Sequence, residues 1–120
     1  MMHGARRWYF PDGYLPKGRK NDLSSHESIC ILNANEEDAE IKITLFFEDE
    51  DPISFEVTVP SRRDIHIRLD KKEIVGFKLP REKPYGVMLE SNIPIIAQLS
   101  RMDVSEDHYT LMTTIGYWED

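Results

Sequence analysis

In SHESICILNA, residues 25 to 34, His26 and Glu27 stand directly before the apolar run Ile29, Cys30, Ile31 and Leu32, which ends at Asn33. A histidine beside a glutamate is the composition of an acid–base dyad, half a metal site or a polar edge for a ligand. Adjacent residues of a strand point to opposite faces, however, so the two can act on one substrate only across a bulge. A hydrolytic dyad is therefore not expected. For a metal, the histidines are His3, His26, His66 and His108, with no HxH, HExxH or cysteine pair to give local ligand geometry. Phosphate-binding glycine loops, dinucleotide fingerprints and GxSxG are absent.

A second group lies in SRRDIHIRLD. If Ile65, Ile67 and Leu69 face a core, Arg62, Asp64, His66 and Arg68 form a polar ribbon on the other face. Such a ribbon is either the solvated side of a sheet or a recognition surface whose guanidinium and imidazole donors suit carboxylates, phosphates or sugar hydroxyls. In IIAQLSRMD, Gln98 alternates with apolar neighbours, and Arg101 and Asp103 follow as a pair at a strand end or as part of a site. Trp8, Tyr9, Phe10 and Tyr14 cluster beside turn and basic residues, a mixture found in cores, subunit contacts and sugar-stacking sites.

The elements that must hold these residues are strands. Ile41, Ile43, Leu45 and Phe47 alternate with Lys42, Thr44, Phe46 and Glu48, and SFEVTV and RDIHIRLD repeat the period of two. YGVMLES, PIIAQLSRM and YTLMTTIGY are further short runs rich in β-branched and aromatic residues. SICILN, apolar on both faces, reads as a central strand. Turn chemistry falls at NANEEDA, EDEDP, PSR and SNIP. Residues 11–24 and 70–84, each holding prolines, read as long loops, and no stretch of ten residues carries a helical stripe. The expectation is an all-β antiparallel sandwich of seven to eight strands, of immunoglobulin or fibronectin type. It fills one domain over residues 1–120, with residues 1–7 and 119–120 as loose ends.

The 120 residues carry a net charge of −7, which disfavours nonspecific binding to nucleic acid or anionic lipid. The charge is uneven: residues 1–20 hold five basic residues against Asp12 alone, and residues 21–60 hold eleven acids against Lys42 alone. The basic stretch reads as a solvated arm or a contact for an anionic partner. Cys30 is the sole cysteine, so no internal disulfide forms. No apolar run reaches the roughly 20 residues of a membrane span, and MMHGARRWYF lacks a signal-peptide core; a cytoplasmic location is expected.

In order along the chain, W(8) with PDGYLP, SHESICILNANEEDAEIKITLFFEDEDP, VPSRRDIHIRLD, YGVMLESNIPIIAQLSRMD and TTIGY resemble the sensory rhodopsin transducer family, from about Trp8 to Tyr117. The resemblance implies a small non-enzymatic β-sandwich without a cofactor, assembled as a homotetramer. The family's named member passes signals from the cytoplasmic side of a membrane photoreceptor. It also implies the alternative of a carbohydrate- or small polar ligand-binding module. Carried over by position, the motif residues are His26, Glu27, Asn33, Arg63, His66, Arg68, Gln98, Arg101 and Asp103, with Trp8 and Tyr14 added from the aromatic cluster. Two departures stand out: Leu99 occupies a position that is often histidine in the family, and DPISFEV lacks the usual glycine-proline.

Overall fold

A computed structural model describes residues 1–120. The chain forms ten strands and one short helix: β1 (Ala5–Tyr14), β2 (Arg19–Lys20), β3 (Leu23–Ser24), β4 (His26–Asn33), β5 (Ala39–Phe46), β6 (Ile53–Val59), β7 (Arg63–Arg68), α1 (Lys72–Val75), β8 (Pro84–Asp103), β9 (Thr110–Ile115) and β10 (Tyr117–Glu119). All pairings are antiparallel, the all-β class expected from the period-two pattern.

β8 organises the molecule. Its first half pairs with β1 and β5, to which β10 and β6 add edges; its second half pairs with β4 and β9, and β7 adds an edge beyond β4. Two ladders thus share one 20-residue strand. Odd-numbered residues of β8 face inward along its length, from Tyr85, Val87 and Leu89 to Ile95, Ala97 and Leu99. Both ladders therefore bury their inner faces in one core. A row across the first ladder reads Trp8, Leu89, Ile43, Phe55, and one across the second reads Ile67, Ile29, Leu99.

Several expectations are corrected. YGVMLES and PIIAQLSRM are one strand, because SNIP makes no turn: residues 91–94 lie within the unbroken strand Pro84–Asp103. The chain stays extended there. Asn92 Oδ1 accepts from the Glu40 amide, and the Pro94 carbonyl accepts from Asn35 Nδ2. Pro94, with no N–H to donate to a ladder, falls where β8 leaves one ladder for the other. Residues 11–14 continue β1 through a register shift rather than opening a loop, and residues 70–84 contain α1, whose Val75 reaches the core. SICILN is central, between β7 and β8, but only one of its faces is fully covered: Leu32 is 40% exposed. The ends are also more ordered than loose. Ala5–Arg7 lie in β1, Arg7 pairs with Glu119, and the Arg6 amide donates to Asp120.

The outer face of the first ladder is a row of alternating charge: Glu119, Arg7, Glu90, Lys42, Glu56. This is a solvated face on which three acids alternate with two bases. Lys17 and Lys20 are paired with Glu82 and Asp107, so much of the basic N-terminal stretch is neutralised within the chain.

Candidate functional site

The inward positions of β4 are Glu27, Ile29, Ile31 and Asn33, so strand parity drives a carboxylate and an amide into the interior at the two ends of an apolar row. Burying either group is costly unless it is fully hydrogen-bonded. Both are. Asn33 Nδ2 donates to the carbonyls of Glu37, Val59 and Pro60, and its Oδ1 accepts from the Asn35 amide. Asn33 thereby ties the β4–β5 turn to the end of β6.

Glu27, fully buried, gathers three donors. The Tyr14 amide, at 2.9 Å, and the Tyr85 hydroxyl both donate to Oε1, and Arg101 Nε donates to Oε2 at 2.7 Å. Arg101 faces Glu27 in register across β4 and β8, lies with its guanidinium 5.8 Å from the centre of the Tyr14 ring, and donates from Nη2 to the Asp12 carbonyl. Gly13 permits this crossing: a side chain there would strike the Tyr85 ring, the nearest carbon lying 2.4 Å from an added Cβ. Burial pushes the Glu27 pKa up, while the Tyr85, Arg101 and Tyr14 donors pull against it. Every contact to this carboxyl is a donor and favours the ionised form, but burial outweighs them and the pKa stays above the ordinary glutamate value. Burial and the Glu27 charge raise the pKa of Tyr85, keeping its hydroxyl a donor.

The opposite face of the second ladder carries different residues. In register across it run three rows: His66, Cys30, Gln98, Ile115; Arg68, Ser28, Ser100, Thr113; and His26, Met102, Leu111. Small side chains, Ser28, Cys30 and Ser100, form the floor between His26, His66, Arg68 and Gln98. His26 Nδ1 meets the Ser24 carbonyl at 3.0 Å, and His66 Nε2 lies 3.2 Å from Asp64. Arg68 makes a two-pronged pair with Asp70, both contacts at 2.7 Å. Burial alone would raise the Asp70 pKa, but the Arg68 hydrogen bonds and charge, with a small contribution from His26, bring it below the usual aspartate value.

The motif residues thus divide. His26, His66, Arg68 and Gln98 share the outer face of the second ladder. Glu27, Arg101 and Tyr14 form the buried knot beneath one end of it. Asn33 is internal, and Trp8 is a core residue whose indole N–H donates to the carbonyls of Ala5 and Ile95. Asp103 accepts from the amide and hydroxyl of Ser105, which lower its pKa and fasten the β8–β9 loop. Arg63 stands exposed at the start of β7, its Nη1 donating to the Arg62 carbonyl. Reading the sequence missed Tyr85, Gly13 and Asp70. The inward parity of Tyr85 within YGVML is the one signal that pointed to it.

No group of three or more His, Cys, Asp and Glu side chains is arranged to hold a metal ion, and no helix is long and apolar enough to cross a membrane. His26 and Glu27 lie on opposite faces of β4, and every hydrogen bond to the Glu27 carboxyl comes from within the chain.

Fold and site define a class: a small two-ladder antiparallel β protein with a polar outer face and an ionic knot joining its sheets. The family model of the Anabaena sensory rhodopsin transducer matches residues 3–118, and the chain belongs to that family. Among solved structures, it is similar to the crystal structure of Thermotoga maritima 1070, with 53% identity, a TM-score of 0.91 and coverage of 98% of this chain and 97% of that one. It is also similar to the structure of the Anabaena sensory rhodopsin transducer, with 34% identity, a TM-score of 0.73 and coverage of 84% of this chain and 90% of that one. No curated protein matches the chain.

Proposed function

We propose that the chain is a non-enzymatic signalling adaptor of the transducer kind, acting in the cytoplasm by binding through the outer face of its second ladder and assembling with copies of itself. The observation that carries this reading is the gathering of His26, His66, Arg68 and Gln98 around the small-residue floor of Ser28, Cys30 and Ser100. None of the four is consumed in packing the core, and Gln98, with the polar atoms that Arg68, His26 and His66 do not commit to Asp70, Ser24 and Asp64, is left for a polar partner surface. The transducer family suggests the cytoplasmic face of a membrane photoreceptor as that surface. Affinity capture from the membrane fraction of the source cells tests it. An integral membrane receptor should be retained by the wild-type chain and lost with His66→Ala or Gln98→Ala; retention by both variants contradicts the assignment.

A second reading is supported by the floor itself. Small side chains flanked by hydrogen-bonding ones on one sheet face are groups that the hydroxyls of a sugar or another small polar ligand would contact. A thermal-shift screen against sugars and small anions separates the two readings. A true ligand at about 100 times its Kd adds about 2.7 kcal/mol of stability, saturably, and the same variants should abolish the shift. Ligand binding and adaptor function are compatible, since a ligand that prefers one conformation shifts what the adaptor contacts.

A further inference from the structure

The outer face of the first ladder changes character along its strands. Beside the charged row from Glu119 to Glu56, the next outward positions of β1, β8 and β5 are Tyr9, Met88 and Thr44, in register. The row after that is Gly86 and Phe46, with Pro11 alongside. Charge gives way to apolar surface.

Gly86 opens that surface. Its φ is not positive, and an added Cβ would come no nearer than 3.8 Å to the Phe10 carbonyl oxygen and 4.0 Å to Pro11 Cα. Neither backbone conformation nor crowding calls for glycine there. A glycine within a strand forfeits packing, and such a position often marks the close approach of a ligand or another chain. Between Pro11 and Phe46, which is 42% exposed, the missing side chain leaves a trough. A cavity of about 260 Å³ against Tyr9 and Met88 runs on into one of about 460 Å³ against Phe47 and Glu48, and both share Pro11, Phe46 and Gly86.

One end of the trough is acidic. The β5–β6 turn carries Glu48, Asp49, Glu50 and Asp51 in succession, and it already holds one ammonium: Lys83 Nζ lies 2.9 Å from Asp49, 3.1 Å from Glu50 and 5.6 Å from the centre of the Phe47 ring. Glu48 and Asp51 are exposed and form no ion pair. The turn therefore has carboxylates to spare.

We infer that this trough seats an extended segment of another protein, one that lays an apolar side chain over Gly86 and turns a lysine or arginine to Glu48 and Asp51. Charge selects that chemistry, because the two unpaired carboxylates complement a cation and repel an acidic segment. Shape agrees. Small ligands are enclosed over most of their surface by their pockets, whereas this trough lies open to solvent along its length, and grooves walled by aromatic rings are how extended, proline-rich segments are held. A second copy of this chain fits less well, since each copy carries −7 and would bring acids to an acidic turn. The trough lies on the first ladder and does not depend on what the His66–Gln98 face binds.

The test is selection from a phage-displayed library of random dodecapeptides on the immobilised full chain, followed by titration of the enriched peptides by fluorescence anisotropy, with far-UV circular dichroism to confirm that each variant is folded. Enriched peptides should share an apolar residue next to a lysine or arginine. Gly86→Val, which fills the floor, and Phe46→Ala, which removes a wall, should each weaken their binding tenfold or more, and Glu48→Lys should weaken it further at low salt than at high salt. Lys83→Gln, which frees Asp49 and Glu50, should strengthen it, an effect that a merely structural role of these residues would not produce. Glu73→Lys, an acid lost elsewhere, on α1, should leave it unchanged. Failure to enrich any peptide, an acidic or uncharged consensus, or folded Gly86→Val and Glu48→Lys variants that bind as the wild type does overturns the inference. So does a change of solution mass in Gly86→Val, which would show the trough filled by another copy of the chain.

Discussion

Tyr85 and Arg101, near opposite ends of the single strand β8, hydrogen-bond the two oxygens of one buried carboxylate, that of Glu27. The knot adds an ionic tie to the shared core that already joins the two halves of this strand. Because β4 carries Glu27 between them, and the Tyr14 amide adds β1, one side chain closes that end of the sandwich. Removing one partner of such a buried, fully bonded group costs about 3–5 kcal/mol. Glu27→Ala should lose that much in urea denaturation, and Tyr85→Phe about 1.5–3 kcal/mol, the value of a hydrogen bond to a charged group. A Glu27→Ala loss below about 1 kcal/mol, the size of an ordinary exposed ion pair, would count against the knot.

His26 should behave in the opposite way. It is half-buried on the outer face, and its side chain hydrogen-bonds a local carbonyl, that of Ser24. His26→Ala is expected to change stability by about 0.5 kcal/mol or less, while Ile31→Ala, in the core, loses about 2–5 kcal/mol. Calorimetry on the two variants checks this, and equal falls in melting temperature would place His26 among the structural residues.

Acid should weaken the fold partly through Asp70. Its carboxyl is held below the ordinary value of 3.8 by Arg68, so the folded chain binds that proton less readily than the unfolded chain. The resulting stability is complete above 3.8 and is lost as pH falls through the lower folded-state value. Asp103 acts in the same direction through Ser105. Glu27 acts against both. Its burial-raised pKa means the folded chain takes up that proton first, so its contribution is largest below the ordinary 4.5 and declines as pH rises through the folded-state value. Urea midpoints between pH 2 and 7 should show Asp70→Asn less stable at neutrality but losing less in acid than the wild type. A parallel acid limb in both proteins would remove Asp70 from this role.

Gly13 allows β1 to pass Tyr85. Gly13→Ala places a methyl against the aromatic ring and the Tyr85 carbonyl, so about 1–3 kcal/mol should be lost to overpacking. Gly76→Ala, with open space around it but a positive φ of 88°, should lose a smaller amount from backbone strain alone. Reversal of that order in thermal melts would indicate that β1 has room to move.

What was legible in the sequence follows from period two. Alternation in β5, β6 and β7 identified strands and their inward residues, and the run Ile29–Leu32 was readable as central. β8 was not readable as one strand. Ser91, Asn92 and Pro94 have turn chemistry, and only tertiary partners, Glu40 and Asn35, keep that segment extended. The site was half legible. Parity separates His26 from Glu27 and aligns Gln98 with the outer face, but it cannot show that Tyr85, distant in sequence, shares a carboxylate with Arg101. Asp70 likewise looked like a loop residue, because its pairing with Arg68 turns back just past the strand end.

The division of β4 into an inward structural carboxylate and an outward recognition face is tested most directly by a double-mutant cycle between Glu27→Gln and Arg101→Met, read by urea denaturation. Buried partners in one ionic network couple by about 0.5–3 kcal/mol. A coupling near the upper end of that range is expected here, because Glu27 lies wholly inside and Arg101 nearly so. Additive losses, with coupling indistinguishable from zero, would contradict the account and return Glu27 to the candidates for ligand contact.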